Sequence, residues 1–519
     1  MSRQILVLIS LLSSVVLSES ARILAVFPTP SISHQVVFRP LTQELARRGH
    51  EVVILTTDPV FPKGKSPANL TEIDVHDMSY DLWRKHFLAH ATGKANDLYS
   101  QMEVLFDIAL KIFHMQLNTS EFKKIIDEKQ HFDLLLIEAW MKPAFLLTHF
   151  FKAPVIQVSS FGRVWSNYEN MGAPVHPILY PISLRQRLCN LTLWEKMTEL
   201  YSHWQFVNLY DQFERSEDEF NKKTYGSDTP SIHELSNNVD MLFLNIHPIF
   251  EGNTPWPPGI ISTWGIHHKP EKPLPKDLQS YLDTSKHGVI YMSFGTNVDP
   301  ANLPPETIQM FIKVFSKLPY DVLWKWNQDV LPGKTEKINI SKWFPQSDLL
   351  RHPKVKLFIT QGGLQSTDEA IVAGVPLIGI PMLGDQWYNV EKYLYLGIGL
   401  KLDIETITEE GLIRAINEVI DNERYRQNIK KLSTLMRDEP MSGLQRAVWW
   451  TEHVLRHGGA RHLRAPAANI SWAQYLELEL VFVLLFAILV FVVIVFSVLR
   501  VLYTLLSKFS LTVSKKKLN

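Results

Sequence analysis

Residues Trp343 to Asn389 read WFPQSDLLRHPKVKLFITQGGLQSTDEAIVAGVPLIGIPMLGDQWYN. A short apolar strand runs into Gly362-Gly363, and that turn opens a helix. Helix N-termini present free N–H groups and a positive dipole end, which hold phosphate oxygens. Aromatic and amide residues stand upstream, and the Asp385-Gln386 pair stands downstream. This order suits a phosphate-bearing nucleotide with a polar group attached to it. Ser293-Phe294-Gly295-Thr296 ends another apolar run, and small hydroxyls beside a glycine turn can approach the same phosphates. A leaving diphosphate gains charge as its bond breaks, so such a helix start can stabilise it without a metal. No His/Cys/Asp grouping has ligand spacing, so no metal is expected.

Far upstream, His34 follows the run Arg22–Phe27 (RILAVF). That is the carboxyl end of a predicted strand, where clefts open in parallel sheets. A neutral imidazole there is suited to accept a proton near pH 7.

Two series of elements must position these groups. Arg22–Phe27 predicts a buried strand, and Val37, Phe38, Leu41 and Leu45 recur at helical spacing behind it, with Ser33 or a neighbour as cap. Gly49 ends that helix, and Glu51–Leu55 makes the next strand. Leu134–Ile137, a helix after Pro143, and Val155–Val158 repeat the pattern. Residues 60–120 are rich in aromatics, Leu and Met with no clean strand pattern. They predict helices and loops over the sheet, a wall for an apolar pocket. Seven prolines between Pro248 and Pro275 predict an extended linker over 247–285. A second series follows at Val289–Phe294, Val322–Trp326, Lys356–Thr360 and Pro376–Ile380. The fold class is therefore α/β, with two doubly wound halves sharing one cleft.

The ends of the chain speak of membranes. Arg3, the apolar run Ile5–Leu17 and the small residues Ser18, Ser20 and Ala21 predict a signal peptide over 1–20. Leu480–Leu499 holds no charge and is long enough to cross a bilayer at about 1.5 Å per residue. Glu477 and Glu479 precede it. Arg500, Lys508 and Lys515–Lys517 follow it, which puts the tail in the cytosol and the rest in the lumen. Lys516 and Lys517, two residues from the end, resemble a dilysine retrieval signal of the endoplasmic reticulum. The alternative is a basic stop-transfer flank. Sequons at Asn69, Asn118, Asn190, Asn339 and Asn469 fit a lumenal chain. Lys+Arg and Asp+Glu number 53 each, which removes any global field for nucleic acid. Cys189 is the single cysteine, so no disulfide forms within the chain.

Trp343-x-Pro345-Gln346, Leu349-Leu350, His352-Pro353, Gly362-Gly363, Ser366, Glu369, Gly374-Val375-Pro376, Pro381 and Asp385-Gln386-x-x-Asn389 together resemble the signature of the UDP-glycosyltransferase superfamily, in its membrane-bound animal branch. Gly265-Ile266 through Lys276 is similar to that branch's interdomain linker. Arg446–Trp450 through Leu463 is similar to its pre-membrane segment.

The resemblance implies a GT-B-type fold. It comprises an acceptor-binding domain (21–246), the linker (247–285) and a UDP-sugar-binding domain (286–465). A pre-membrane segment (466–479), a transmembrane helix (480–499) and a cytosolic basic tail (500–519) complete it. Trp343 would stack on uracil, and Gln346 would contact the nucleoside. Glu369 would accept the ribose hydroxyls. Ser293, Thr296 and the Gly362-Gly363 helix start would hold the diphosphate, and Ser366 would belong to the same UDP-sugar site. Asp385 and Gln386 would bind the donor sugar. Gln361 stands where the family usually has His. Its amide can still donate to phosphate but carries no charge, and insect members often show the same Gln. His34 would be the general base. Glu138, five residues after Asp133, would be its acid partner, one methylene longer than the usual Asp.

The reaction implied is inverting transfer of a hexosyl group from a UDP-sugar to a hydroxyl of a small lipophilic acceptor of the phenol, steroid, flavonoid or xenobiotic class. The UDP-sugar is a co-substrate, and no separate cofactor is expected. Asn245 matches a position where vertebrate glucuronosyltransferases carry an Arg facing glucuronate, so glucose is favoured over glucuronate. A non-catalytic protein that binds nucleotide sugar or lipophile is the reading from a different class. The lipid bilayer is a further expected partner, and a homo-oligomer stays open.

Overall fold

Short runs rich in Val, Ile and Leu cannot leave either face in water, so they pair in parallel with helices on both sides. The computed structural model describes residues 20–88, 93–164, 166–188 and 190–517. Most of the signal-peptide stretch, Cys189, and the final Leu518 and Asn519 lie outside the described residues.

Among the described residues the first sheet comprises β1 (Arg22–Phe27), β2 (Glu51–Thr56), β3 (Leu70–Asp74), β4 (Leu134–Glu138), β5 (Val155–Ser159), β6 (Val239–Leu244) and β7 (Ile260–Ser262). Its order is β3-β2-β1-β4-β5-β6-β7, and every pairing is parallel. The second sheet comprises β8 (Val289–Ser293), β9 (Asp321–Lys325), β10 (Ile338–Ser341), β11 (Val355–Thr360), β12 (Leu377–Gly379) and β13 (Gly399–Lys401). Its order is β10-β9-β8-β11-β12-β13, again all parallel. Both sheets are of the doubly wound kind, and their strands β1 and β8 each change the direction of winding, where ligands bind.

The helix α1 (Ile32–Arg47) buries Val37, Phe38, Leu41 and Leu45 on the first sheet. Ser31, not Ser33, is its N-cap residue, and no side chain caps it. Gly49, at φ +101°, turns the chain into β2.

Three sequence expectations change. β3 lies within residues 60–120, where no strand was expected. It is five residues long, sits at the sheet edge and carries Glu72 and Asp74, so it lacks a continuous apolar signal. The stretch 247–285 is not simply extended. It contains the helix turn Pro248–Glu251, the strand β7 and the helix Lys276–Thr284. Prolines sit at the starts of both helices, where a missing N–H costs little. Finally, the helix Gly443–His457 buries Ala447, Val448 and Val454 in the core formed by β1, β2 and α1, so this late stretch packs on the first sheet and not the second.

Residues Pro466–Asn519 form a separate unit. Its main element is the helix Leu478–Lys517, whose segment Leu478–Lys508 is long and apolar enough to cross a membrane. This extends well beyond the twenty residues read from the sequence. Lys516 and Lys517 lie in its last turn. Asn69, Asn118, Asn190 and Asn339 are exposed, and Asn469 is half-buried.

Candidate active site

The carboxyl ends of β1 and β8 open on one cavity of about 540 Å³, walled by both sheets. Polar contacts join the halves, two of them beside residues of the cavity wall. Asn297 Nδ2 donates to Ser31 Oγ at 3.1 Å, and Gln365 Nε2 donates to Ser160 O at 2.8 Å.

On the first side, the turn after β1 is pinned by buried Gln35. Its Nε2 donates to Phe27 O and Thr29 O, and its Oε1 accepts from Thr56 Oγ1. The residue just before Gln35, His34, lines the cavity and is 15% exposed. Its Nδ1 lies 2.6 Å from Glu138 Oε1, at the end of the neighbouring strand β4. A carboxylate can only accept, so Nδ1 carries the proton and Nε2 keeps its lone pair for the cavity. Glu138 is fully buried, and its charge is met on every side. Trp140 Nε1 donates to Oε1 at 2.9 Å and the Thr29 amide donates to Oε2 at 3.2 Å. The extra methylene of Glu is thus absorbed without losing contact with His34. Trp140 also lines the cavity. The sequence reading missed it, although its spacing of two residues from Glu138 was available.

On the second side, Trp343 is 65% exposed and lies on the cavity wall, an open aromatic face. Gln346 Nε2 donates to Ser366 Oγ at 2.9 Å and Glu369 Oε2 at 2.8 Å, while its Oε1 accepts from Tyr291 OH. Burial pushes Glu369 up to about 7, against the opposing effect of the Gln346 hydrogen bond. Gln386 Oε1 accepts from the Met382 and Leu383 amides, which leaves its NH₂ for the cavity. Asn389 Nδ2 bridges Gly362 O and Asp385 Oδ2. Burial raises the Asp385 carboxyl, and the His34 ring across the cleft opposes that rise.

The glycines have distinct reasons. At Gly362, with φ +91°, a Cβ would stand 2.5 Å from Val390, so this residue lets the helix Gln386–Leu396 close in. Gly295, with φ +73°, and Gly363 both face the Gln361 amide nitrogen, which a Cβ on either glycine would crowd. Thr360 Oγ1 donates to Gln361 Oε1, so the Gln361 amide nitrogen is held between the two glycine turns. Ser293 and Thr296 line the same region, and Gly363 opens the ten-residue helix Leu364–Ala373. Lys325 adds a cation that the sequence reading did not single out. It sits at the end of β9, lines the cavity, and donates to Gly295 O at 2.8 Å.

One wall of the cavity is largely apolar. Trp83, Phe87, Met102 and Leu105, from the 60–120 region, face Phe161 and Leu184.

Asn245 does not line this cavity. It is fully buried behind it, donating through Nδ2 to Ser160 O and His267 Nδ1. The sequence argument from Asn245 to the donor sugar therefore loses its contact. His267, His268 and Asp368 do come together, with one ligand atom from each within 4.8 Å of the others. The Asn245 amide nitrogen can only donate, however, so the His267 Nδ1 accepts and its proton sits on Nε2. That removes Nε2 from metal ligation. Burial pushes His267 well down and Asp368 well up.

Two parallel α/β sheets sharing a cavity, with a glycine-led helix start facing a His–carboxylate pair, define a GT-B glycosyltransferase. Solved structures agree. A glycotransferase of kitacinnamycin matches at a TM-score of 0.59, 19% identity, over 83% of this chain and 99% of its own. A UDP-glucose:anthocyanidin 3-O-glucosyltransferase in complex with UDP matches at 0.58 and 16%, over 85% and 100%. The chain belongs to the family described as UDP-glucoronosyl and UDP-glucosyl transferase, which matches residues 22–516. An ecdysteroid UDP-glucosyltransferase of Spodoptera littoralis nuclear polyhedrosis virus is 35% identical over 91% of this chain and 95% of its own. A UDP-glycosyltransferase UGT5 of Dactylopius coccus is 33% identical over 94% and 93%.

Proposed function

We propose that this UDP-glycosyltransferase moves glucose, with inversion, from UDP-glucose to a hydroxyl of a small lipophilic acceptor, of which a steroid or phenol is the type. The observation that carries the reading is the His34–Glu138 pair opposite the Gly363 helix start across one cavity. An acceptor oxygen lying on the apolar wall gives its proton to His34 Nε2 and attacks the anomeric carbon. Glu138 stabilises the imidazolium that forms. The anomeric C–O bond to UDP breaks on the opposite face. The diphosphate's new charge meets the helix start, the Gln361 amide and Lys325. Trp343 stacks on uracil, Glu369 accepts from the ribose, and Asp385 and Gln386 hold the glucose hydroxyls. The chain works without a metal, through position and electrostatics.

Glucose is favoured because relatives such as the ecdysteroid UDP-glucosyltransferases of the Spodoptera littoralis and Lymantria dispar viruses, and UDP-glucosyltransferase 2 of Dactylopius coccus, are named as glucosyltransferases. UDP-glucuronate is the second reading, since Lys325 and Lys269 on the cavity wall suit a uronate carboxylate. The site works in the lumen of the endoplasmic reticulum, anchored by the C-terminal helix and returned there by Lys516 and Lys517. The sequons carry glycans, and the activity serves detoxification or hormone inactivation.

A donor-by-acceptor matrix on membranes carrying the full chain tests this, with UDP-glucose and UDP-glucuronate against phenol, flavonoid and steroid acceptors. A UDP-glucose-dependent β-glucoside is the expected product. Transfer from UDP-glucuronate alone selects the second reading. Tight UDP binding with no transfer to any acceptor leaves only a binding protein.

A further inference from the structure

The helix Gly443–His457 ends in His453 and His457, one turn apart, and the following turn Arg461–Leu463 carries His462. Residues four apart lie on one helix face, so the first two imidazoles point the same way. The chain then reverses through Gly458 and Gly459, at φ +63° and +131°. The reversal is anchored from below. Ala460 N donates to Asp240 Oδ1 at 2.7 Å, and a Cβ on Gly459 would stand 2.9 Å from that same oxygen. His462 is therefore brought back over the helix by a fixed turn. Its Nε2 lies 3.3 Å from His453 Nε2.

That separation has a chemical meaning. Two nitrogens each about 2.0–2.1 Å from a tetrahedral zinc ion stand about 3.3 Å apart. Two neutral imidazoles also reach this distance when one donates to the other. What favours a cation is the third ring and the way the first is held. The His457 ring centroid is 4.5 Å from that of His453 and 6.1 Å from that of His462. His457 is exposed, so its ring can reorient without displacing packed neighbours. The His453 ring stacks on Trp449, with centroids 5.4 Å apart at 22°, and meets Trp450 edge-on at 5.1 Å. These contacts fix its nitrogen toward His462. The neighbouring Arg456 leans toward Glu452 at 4.0 Å. None of these residues lines the cavity, and the sequence reading assigned them no role.

We propose that His453, His457 and His462 form a surface site for one divalent transition-metal ion of imidazole preference, such as zinc, with water as its fourth ligand. The ion ties the last helix of the first unit to the turn that follows it. Such a site stabilises the folded form by mass action and leaves the transfer chemistry untouched.

The test uses the full chain in mild detergent, purified through a tag that contains no histidine and stripped with a chelator. Zinc is titrated against a competing dye, and cobalt is added in parallel as a spectroscopic probe. One equivalent of zinc, a rise in Tm on its addition, and a visible tetrahedral cobalt band are expected. The double variant His453→Ala/His462→Ala should lose at least about tenfold in zinc affinity and the cobalt band, while keeping its glycosyl transfer and its metal-free Tm. Asp368→Asn should bind zinc as the parent does. Absence of saturable binding, unchanged affinity in the double variant, or loss of binding in Asp368→Asn would each overturn the proposal.

Discussion

The two walls of the cavity are built in opposite ways. The donor wall takes most of its polar groups from one stretch, Trp343 to Asn389, and binds them to one another before any ligand arrives. Gln346 joins Ser366, Glu369 and Tyr291, Asn389 joins Gly362 to Asp385, and Gln386 is held by two amides. The acceptor wall gathers apolar side chains from scattered segments, among them Trp83, Met102, Phe161 and Leu184. Its polar groups are few and centre on His34 and Glu138. A ligand with fixed hydrogen-bonding groups demands fixed partners, and rigid partners need mutual support. An apolar ligand demands only volume and shape, which many residue combinations supply. The dyad belongs to neither kind of binding. In the proposed mechanism it stands where the two ligands meet, so its loss should be felt with every donor and every acceptor.

The sharpest attempt to break this contrast is at the dyad. His34→Ala should lower kcat by about 10²–10⁴, with UDP affinity unchanged by calorimetry. Glu138→Gln should fall nearly as far, because the amide can no longer balance an imidazolium. Turnover at the parental rate in His34→Ala removes the base assignment, whatever the acceptor.

A smaller effect is expected at Glu369. Its loss removes a charge-assisted hydrogen bond worth about 1.5–3 kcal/mol, so Glu369→Ala should raise the donor KM by roughly 10–100-fold with little change in acceptor KM. Burial pushes this carboxyl up to about 7. In its proposed role the ionised form accepts the ribose hydroxyls, so donor KM should fall as pH rises through about 7. The same raised value has the opposite consequence for stability. The folded form holds this proton more tightly than an unfolded chain does, so stability without donor should decline as pH rises from about 4.5 to about 7. In Glu369→Gln the pH dependence of donor KM should vanish. A donor KM that rises with pH would contradict the assigned role.

Trp343→Ala should cost less, because the ring is two-thirds exposed and only one of its faces is available to a base. Stacking is worth about 1–3 kcal/mol per base, and the lower end predicts about a fivefold rise in donor KM that Trp343→Phe largely restores. An effect on acceptor KM alone would place this residue on the wrong wall.

The subtlest test concerns Trp140. Trp140→Phe removes one N–H donor from Glu138, a bond worth about 1 kcal/mol, and should lower kcat by a few-fold. A change in acceptor KM with kcat unmoved would reduce Trp140 to part of the acceptor wall.

Legibility followed the same division. Strands β1, β2, β4, β5, β8, β9 and β11 were readable within a residue or two, because strands buried on both faces are continuous apolar runs. The edge strand β3 was not, since one exposed side admits Glu72 and Asp74. The pairing of His34 with Glu138 came from resemblance to a family pattern, and the geometry gives it a 2.6 Å contact. Trp140 and Lys325 were overlooked because neither belongs to a pattern that spacing alone reveals. Asn245 was assigned to the donor sugar by sequence position, but just past the end of β6 its side chain is buried on Ser160 and His267 and does not line the cavity.

The sequence by itself determined the two parallel sheets, the apolar C-terminal helix, and the order of donor groups between Trp343 and Asn389. Each of these is written locally, as periodicity, a run of apolar residues, or fixed spacing along one strand and helix. Only the tertiary structure decided which distant residues share a space. It set His34 beside Glu138 and opposite Asp385, returned the helix Gly443–His457 to the first sheet, turned Asn245 inward, and brought His462 back to His453. Those outcomes depend on how strands are ordered in a sheet and where a chain reverses, and such contacts leave no periodic trace in the residues that make them.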